Sequence, residues 1–240
     1  MDNNKFNIAV LIDGDNAQPK LIKEILEEVS KYGKATIRRI YGDWTSQQMN
    51  SWKETINQHS INPIQKFAYT TGKNSTDSSL IIDAMDILHG RNIEGFCIVS
   101  SDSDYTGLAK RIREEGLFVM GIGEKKTPSA FVQSCEIFTY CENLNATIET
   151  QPQTGKDNKN KAPKNKPNTS VIDKAFNISI NEEEEIYIST VGTNLRKIDP
   201  SFDPRSFGFK NLTQMFEGLP KYKVIKNMVN GLNHPMVKLK

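Results

Sequence analysis

The chain has 240 residues, 37% of them hydrophobic and 25% charged, and no apolar run nears the roughly 20 residues of a membrane-spanning helix, which argues against an integral membrane protein. The formal net charge is +2, but the charge is unevenly distributed. Residues 1–150 are acidic, with 16 basic and 20 acidic side chains, whereas residues 151–240 are basic, with 15 basic and 9 acidic side chains. This asymmetry predicts two modules with different tasks.

The three cysteines, Cys97, Cys135 and Cys141, have no CxxC spacing, and the histidines do not cluster near them in sequence. This pattern argues against a structural zinc site and fits a reducing compartment. The first six residues lack the basic start and the long apolar stretch of a signal peptide. We therefore expect a cytoplasmic protein.

The first predicted element is a buried strand that ends at an acidic motif. Residues 8–12 are apolar and mostly β-branched, a run typical of a strand inside a parallel sheet. Asp13-Gly14-Asp15-Asn16 follow directly, and ligands of open α/β sheets bind beyond the carboxyl ends of the strands. Asp13 is therefore a candidate site residue, although the motif also fits an Asx turn in which Asn16 caps the next helix.

The next four predicted elements alternate between helix and strand. They are a helix over 19–29, a strand over 35–41, a helix over 46–58 and an edge strand over 62–69. Pro19 suits the first position of its helix, and Gly33 suits the C-terminal cap. Pro63 has no backbone N–H to donate, which favours an edge position for the last of these strands.

A polar loop over 70–77 leads into a further amphipathic helix. Ser75 is its candidate N-cap and Gly90 follows its end. Asp77 falls in the first turn, close to the sheet edge if the helix starts beside it. The same position also lets Asp77 act only as a partner of the helix dipole, so the sequence leaves both roles open.

A second acidic motif follows the next predicted strand, residues 95–100. Asp102-Ser103-Asp104 lie just beyond it, so Asp13, Asp102 and Asp104 converge if the two strands are neighbours. Converging carboxylates repel one another and do not all stay ionised unaided. A divalent cation such as Mg²⁺ or Mn²⁺ relieves that conflict, and oxygen ligands suit both ions.

The rest of the first module continues the alternation. The predicted elements are a helix over 105–115 that ends at Gly116, a strand over 117–122, a short helix over 128–134 and a strand over 137–141. Strands that alternate with helices predict an α/β fold. Its sheet is parallel, its crossovers are right-handed and helices cover both faces.

Three motifs, in order along the chain, resemble the NYN domain family of PIN-like nucleases. They are residues 10–16, the pair Gly72-Lys73 with Asp77 and Asp83, and residues 99–105. The resemblance implies a PIN-like fold and a metal-dependent ribonuclease that hydrolyses RNA phosphodiester bonds. It implies four acidic ligands for Mg²⁺ or Mn²⁺: Asp13, Asp77, Asp102 and Asp104.

The same resemblance implies further roles around that site. Asn16 orients the acidic set, and Lys73 approaches the phosphate. Ser101 is a candidate substrate contact. Asp83 lies two helical turns beyond Asp77 and is expected to be structural.

Two other interpretations of the Asp-x-Asp pattern fit the residues less well. A calcium-binding EF-hand loop that starts at Asp102 needs Glu at its twelfth position, where the chain has Arg113. Haloacid-dehalogenase-like phosphatases expect Thr two residues beyond their second Asp, where the chain has Ala17. A metal-dependent phosphatase stays an alternative function.

The sequence predicts a first domain over 1–145, a flexible linker over 146–169 and a second domain over 170–240. The linker is rich in Lys, Asn, Gln, Thr and Pro.

The second domain shows an apolar group at 172–176, helices over 182–198 and 211–217, and a turn or helix at Asp203-Pro204. Two β-like segments, 222–228 and 235–239, are joined through Asn230-Gly231. Helices closed by a hairpin describe a small winged-helix-like domain.

This second domain resembles the LOTUS (OST-HTH) family. The residues that carry the resemblance are Thr193-Asn194-Leu195, Lys197, Phe202 to Arg205, Phe207 to Phe209, Leu212 and Met215-Phe216. The resemblance implies RNA or a protein as the partner. Phe207 and Phe209 are expected in the core. Lys221, Lys223 and Lys226 lie on the predicted wing, where they either follow a phosphate backbone or form only a solvated face.

The sequence thus favours a metal-dependent ribonuclease with an attached RNA-binding module. The alternatives are a non-catalytic RNA-binding or scaffold protein on a nuclease-like fold, and the metal-dependent phosphatase. The oligomeric state stays open at this point, a homo-oligomer included. The sequence also sets no choice between RNA and DNA, or between endo- and exonucleolytic cleavage.

Overall fold

The computed structural model of the protein describes residues 6–67, 75–90, 92–145, 168–180, 185–229 and 231–240. The chain forms two compact units divided between residues 149 and 150, and each is described by itself. The predicted linker, apart from its last two residues, and most of the predicted loop over 70–77 lie outside the described residues. Across the described ranges, no helix is long and apolar enough to cross a membrane.

Six parallel strands form the sheet of the first unit. They are β1 (Phe6–Asp13), β2 (Gly33–Gly42), β3 (Asn62–Gln65), β4 (Gly95–Val99), β5 (Phe118–Gly123) and β6 (Ile137–Tyr140). Their order is β3-β2-β1-β4-β5-β6, and each neighbouring pair is parallel. The predicted α/β fold is therefore confirmed, and β3 lies at an edge as its proline indicates.

Six α-helices flank this sheet within the described part of the unit. They are α1 (Ile22–Ser30), α2 (Lys53–His59), α3 (Ser75–His89), α4 (Thr106–Glu114), α5 (Ser129–Ser134) and α6 (Cys141–Asn145). Three of the predicted helices begin as 3-10 turns, namely Pro19–Leu21, Gln47–Trp52 and Ser103–Tyr105. Hydrophobic periodicity does not distinguish these tight turns from the α-helix that continues them.

Gly33 is not the C-terminal cap of α1, so that prediction is wrong. Lys31 occupies the cap position, and Gly33 is the first residue of β2. A Cβ on Gly33 would lie 2.2 Å from the carbonyl oxygen of Phe6. Glycine is required here because β1 and β2 approach closely where their pairing begins.

Both faces of the sheet are buried. Ala9 and Leu11 of β1 pack in the cluster that contains the buried residues of α3 and α4, whereas Ile8, Val10 and Ile12 pack in the cluster beneath α1 and α2. Side chains alternate along a strand. Asp13, the residue after Ile12, therefore points to the side of the sheet that α3 and α4 cover.

Helix α3 is attached to β2 by polar contacts as well as by its apolar face. The Arg39 guanidinium and the Tyr41 hydroxyl both donate to the Asp83 carboxylate. Asp83 is thus an anchor between helix and strand.

The second unit combines three helices with short antiparallel strands among its described residues. These elements are α7 (Thr169–Ser179), β7 (Ile186–Tyr187), α8 (Ile188–Ile198), a 3-10 turn (Pro204–Phe207), α9 (Leu212–Gly218), β8 (Tyr222–Ile225), β9 (Met228–Val229), β10 (Leu232–Asn233) and β11 (Met236–Leu239). One sheet has the order β7-β11-β8, and β9 pairs with β10. The winged-helix-like prediction is confirmed.

The helix predicted over 182–198 begins only at Ile188. The two residues before it pair with β11 as a short strand, an interaction that local periodicity does not reveal. The core of this unit centres on the ring of Tyr222, whose centroid lies 5.1 Å from that of Phe176 and 5.2 Å from that of Phe216. Phe207 and Phe209 pack against the same core, as expected.

Candidate metal centre at the sheet edge

The acidic motifs meet where the strand order changes direction. β1 lies between β2 and β4, and Ile12 is paired with Val99. The residues that follow these two strands therefore emerge side by side at one sheet edge. A switch point of this kind is where open α/β sheets bind ligands.

Three carboxylates form a cluster at this edge. Asp77, Asp102 and Asp104 each offer one oxygen, and these three atoms lie within 4.8 Å of one another. Asp77 comes from the first turn of α3, whereas the other two follow β4. Asp77 and Asp102 are half-buried and Asp104 is exposed.

Asp13 is fully buried and is held by hydrogen bonds. Its Oδ2 accepts from Asn16 Nδ2 at 2.7 Å and from Ser100 Oγ at 2.9 Å, and its Oδ1 accepts from the Asp15 N–H at 3.2 Å. The Ser100 hydroxyl also accepts from the Asp102 N–H at 3.1 Å. Ser100 therefore connects the end of β1 to the loop that carries the clustered carboxylates.

The 13–16 motif does form an Asx turn, but Asn16 does not cap the following helix. The side chain of Asp13 closes the turn by accepting from Asp15. The cap position belongs to Gln18, and no side chain caps there. The Asn16 amide is directed to Asp13 instead.

Tyr105 is a site residue that the sequence analysis missed. Its ring is fully buried and its hydroxyl donates to Asp77 Oδ1 at 2.7 Å. Ser100, which donates to Asp13, is a second residue that the sequence does not single out. A signal for Tyr105 existed, because this tyrosine directly follows the acidic motif Asp102-Ser103-Asp104. Its hydroxyl needs a hydrogen-bond partner once the ring is buried.

The electrostatics of the site favour binding of a positive charge. Burial raises the pKa of the Asp13 carboxyl, and the donors Asn16 and Ser100 oppose this. Burial also raises the pKa of Asp77, where Tyr105 opposes it and the charges of Asp13, Asp102 and Asp104 add to it. The ionised cluster is therefore strained by its own negative charge.

The donor set fits a divalent cation. It consists of carboxylate oxygens, which are the ligands that Mg²⁺ and Mn²⁺ prefer, and the pKa of Asp77 is raised by the very charges that a cation would neutralise. Repulsion of this kind costs free energy in the folded protein until an ion offsets it.

The other predicted contact residues lie in different surroundings. Lys73 is outside the described residues. The Ser101 hydroxyl accepts from the Glu124 N–H at 2.9 Å, which ties the loop after β4 to the loop after β5. On the second unit, Lys221 pairs with Asp173 at 2.8 Å.

Replacement of Gly14 by alanine is expected to disturb the turn that carries Asp13. A Cβ there would lie 2.6 Å from Met49 Cε and 2.7 Å from the Tyr41 carbonyl oxygen, and backbone has little room to move. Overpacking of this kind costs about 1–3 kcal/mol, so Gly14→Ala should lower the Tm by roughly 3–9 °C. Gly107→Ala is the matched control, because a Cβ at Gly107 meets nothing within 4 Å. Equal melting temperatures for the two variants would contradict this interpretation.

The carboxyl of Asp77 is expected to make the metal-free protein less stable as the pH rises. Because the pKa of Asp77 is raised from 3.8, the folded chain binds more protons than the unfolded chain above that value. The contribution of Asp77 to the free energy of unfolding is therefore lost as the pH rises through the raised pKa. Asp77→Asn should flatten this decline, measured by thermal unfolding in EDTA from about pH 4 to about pH 7. The same slope in wild type and variant would contradict the assignment.

A parallel α/β sheet with clustered carboxylates at its switch point defines a nuclease-like domain of the PIN type. The chain belongs to the NYN domain family, whose sequence model matches residues 7–145. The OST-HTH/LOTUS domain family matches residues 168–232. Both family resemblances seen in the sequence are thereby confirmed, in the same order along the chain. The chain is therefore a nuclease-like protein with an RNA-binding type of module.

No similar sequence was found among curated proteins. Among solved structures, the chain is similar to a protein of unknown function from Vibrio parahaemolyticus RIMD 2210633, with 16% sequence identity and a TM-score of 0.48. That match covers 57% of this chain and 94% of the other.

Proposed function

We propose that the protein is a metal-dependent ribonuclease and that Asp13, Asp77, Asp102 and Asp104 are its acidic residues. The observation that carries the proposal is the cluster of three carboxylates at the switch point of a NYN-family sheet. Asp13 adds a fourth negative charge beside it. We propose Mg²⁺ or Mn²⁺ as the cofactor.

The proposed division of roles follows from the contacts. Asp77, Asp102 and Asp104 would hold the cation, and Asn16 and Ser100 keep the Asp13 carboxylate oriented. A bound divalent cation activates water and neutralises charge on a phosphodiester. The reaction then needs no protein nucleophile.

Cysteine chemistry has little support as an alternative. Cys97 and Cys135 are buried, and burial raises the pKa of the Cys135 thiol to about 12. A thiol in that state is a poor nucleophile at neutral pH.

We further propose that the second unit binds RNA. Lys223 and Lys226 are exposed near the β9–β10 hairpin, which corresponds to the predicted wing. Exposed lysines of this kind can neutralise backbone phosphates. Lys221 contributes less in this proposal, because Asp173 already pairs with it. At the first unit, Lys73 and Ser101 are proposed substrate contacts.

The test is incubation of the purified full chain with end-labelled single-stranded RNA in Mn²⁺, Mg²⁺ or EDTA. We expect cleavage with either ion, none in EDTA, and recovery when the ion is added back in excess. The length of the products distinguishes endo- from exonucleolytic cleavage. RNA binding without cleavage would favour the non-catalytic scaffold, and release of phosphate from small phosphate monoesters would favour the phosphatase.

A further inference from the structure

Tyr105 lies between the elements that build the acidic cluster. It is the last residue of the 3-10 turn Ser103–Tyr105, so it shares that turn with Asp104. Its hydroxyl donates to Asp77 on α3. One hydrogen bond therefore joins the helix that supplies one clustered carboxylate to the turn that supplies another.

The phenol is suited to this contact at neutral pH. A tyrosine hydroxyl is a proton donor there, and here it donates to Asp77 Oδ1 at 2.7 Å. The ring itself is fixed by packing, with its centroid 6.3 Å from that of Phe131.

A fixed donor on one oxygen limits how the Asp77 carboxylate can rotate. The remaining lone pairs of Asp77 then stay within reach of Asp102 and Asp104. Without the donor, repulsion from the neighbouring charges would favour a rotation of Asp77 away from them.

We infer that Tyr105 is a positioning residue that keeps Asp77 assembled with Asp102 and Asp104 before a cation binds. This inference rests on the proposed function, because it assumes that the cluster binds a divalent ion. Tyr105 acts through Asp77 and is not itself a ligand. Groups that orient metal ligands typically change metal affinity or activity by about 10–100-fold when removed.

The test is Tyr105→Phe in the full chain, which removes the hydroxyl and keeps the ring. Mn²⁺ alone is the probe, and its free concentration is measured by electron paramagnetic resonance. We expect the Kd for Mn²⁺ to rise about tenfold. Cleavage of RNA should fall at low Mn²⁺ and recover at saturating Mn²⁺. A residue with only a packing role would change the Tm without this shift in metal dependence.

Tyr41→Phe is the matched control. Tyr41 is also fully buried and also donates to a carboxylate of α3, but to Asp83, which is outside the cluster. We expect Tyr41→Phe to lower the Tm and to leave the Kd for Mn²⁺ unchanged. An equal rise in Kd for both variants would overturn the inference, since the effect would then come from the general attachment of α3.

Asp104→Asn separates a failure of this inference from a failure of the proposed function. If Asp104→Asn weakens Mn²⁺ binding and Tyr105→Phe does not, Tyr105 has no positioning role and the metal site stands. If neither variant changes Mn²⁺ binding, the proposed metal site itself is overturned.

Discussion

Asp102→Asn should reduce metal-dependent RNA cleavage by on the order of 100-fold or more while leaving the fold intact. Asp102 is half-buried in the cluster and contributes one of its three converging oxygens. Its Oδ1 also accepts from the Asp104 N–H at 3.0 Å, as the cap of the following 3-10 turn. Asparagine caps as well as aspartate does. The variant therefore loses a charge but keeps the local structure.

The same variant should lose stabilisation by the ion. A ligand that binds only the folded state adds about 2.7 kcal/mol at a concentration of 100 times its Kd, so Mn²⁺ should raise the Tm of the wild type and hardly that of Asp102→Asn. In EDTA the order should reverse slightly, because one repelling charge is gone. Thermal unfolding and a labelled-RNA assay on the same preparations measure both effects.

Asp86→Asn is the matched control for this experiment. Asp86 is exposed on α3, nine residues beyond Asp77 and so about 13 Å along the helix axis. Asp86→Asn changes the net charge by the same amount as Asp102→Asn, but outside the cluster. RNA cleavage and the stabilisation by Mn²⁺ should therefore stay at wild-type levels. Full cleavage by Asp102→Asn would assign the activity to another site or to a contaminating nuclease.

Asp13→Asn is expected to differ from Asp102→Asn in its stability without metal, for a reason that only the structure shows. Mutual repulsion alone predicts that neutralising Asp13 makes the metal-free protein slightly more stable. The buried carboxylate, however, accepts from Asn16, Ser100 and the Asp15 N–H. An amide has one acceptor oxygen, so its NH₂ would face a donor, and unmatched buried groups cost about 1–3 kcal/mol. Asp13→Asn should therefore lower the Tm in EDTA.

The sequence predicts the strands of the first unit well, because short β-branched runs bounded by polar turns seldom form any other secondary structure. The position of Asp13 follows from that pattern, and so does that of Asp102 once β1 and β4 are neighbours. The position of Asp77 does not follow from the strand pattern. It depends on how α3 packs against the sheet, and the polar residues before α3 show no periodicity that predicts this packing. The roles of Ser100 and Tyr105 are set by hydrogen bonds between elements distant in sequence, which composition and spacing do not encode.

Removal of the second unit should weaken RNA binding much more than it weakens the cleavage chemistry. Each unit has its own hydrophobic core, so residues 1–145, which end with α6, should fold alone. All four proposed acidic residues lie in that piece: Asp13, Asp77, Asp102 and Asp104. Its net charge is acidic, with 16 basic and 19 acidic residues, and it approaches RNA against its own charge. We expect metal-dependent cleavage with a raised KM and a nearly unchanged kcat.

The second piece should begin at residue 168, because the Asn168 side chain accepts from the Ser170 N–H at 3.1 Å and caps α7. Residues 168–240 carry 10 basic and 8 acidic side chains, and residues 151–167 carry five lysines and one aspartate. Most of the basic excess of the second half thus precedes the domain. Comparison of pieces 146–240 and 168–240 in RNA-binding titrations therefore separates the lysine-rich segment from the domain itself.

We expect piece 168–240 to bind RNA at low salt, more weakly than 146–240, and to cut none of it. If Lys223 and Lys226 each neutralise one phosphate, replacing both by alanine should reduce the slope of log K against log salt by about 1.4, since each contact on a single strand contributes about 0.7. Lys174→Ala with Lys197→Ala removes the same charge from exposed positions on α7 and α8 and should leave the slope nearly unchanged. Binding by 146–240 alone would move the RNA contact to the lysine-rich segment. No binding by either piece would make the second unit a protein-docking module and leave substrate capture to the loops of the first.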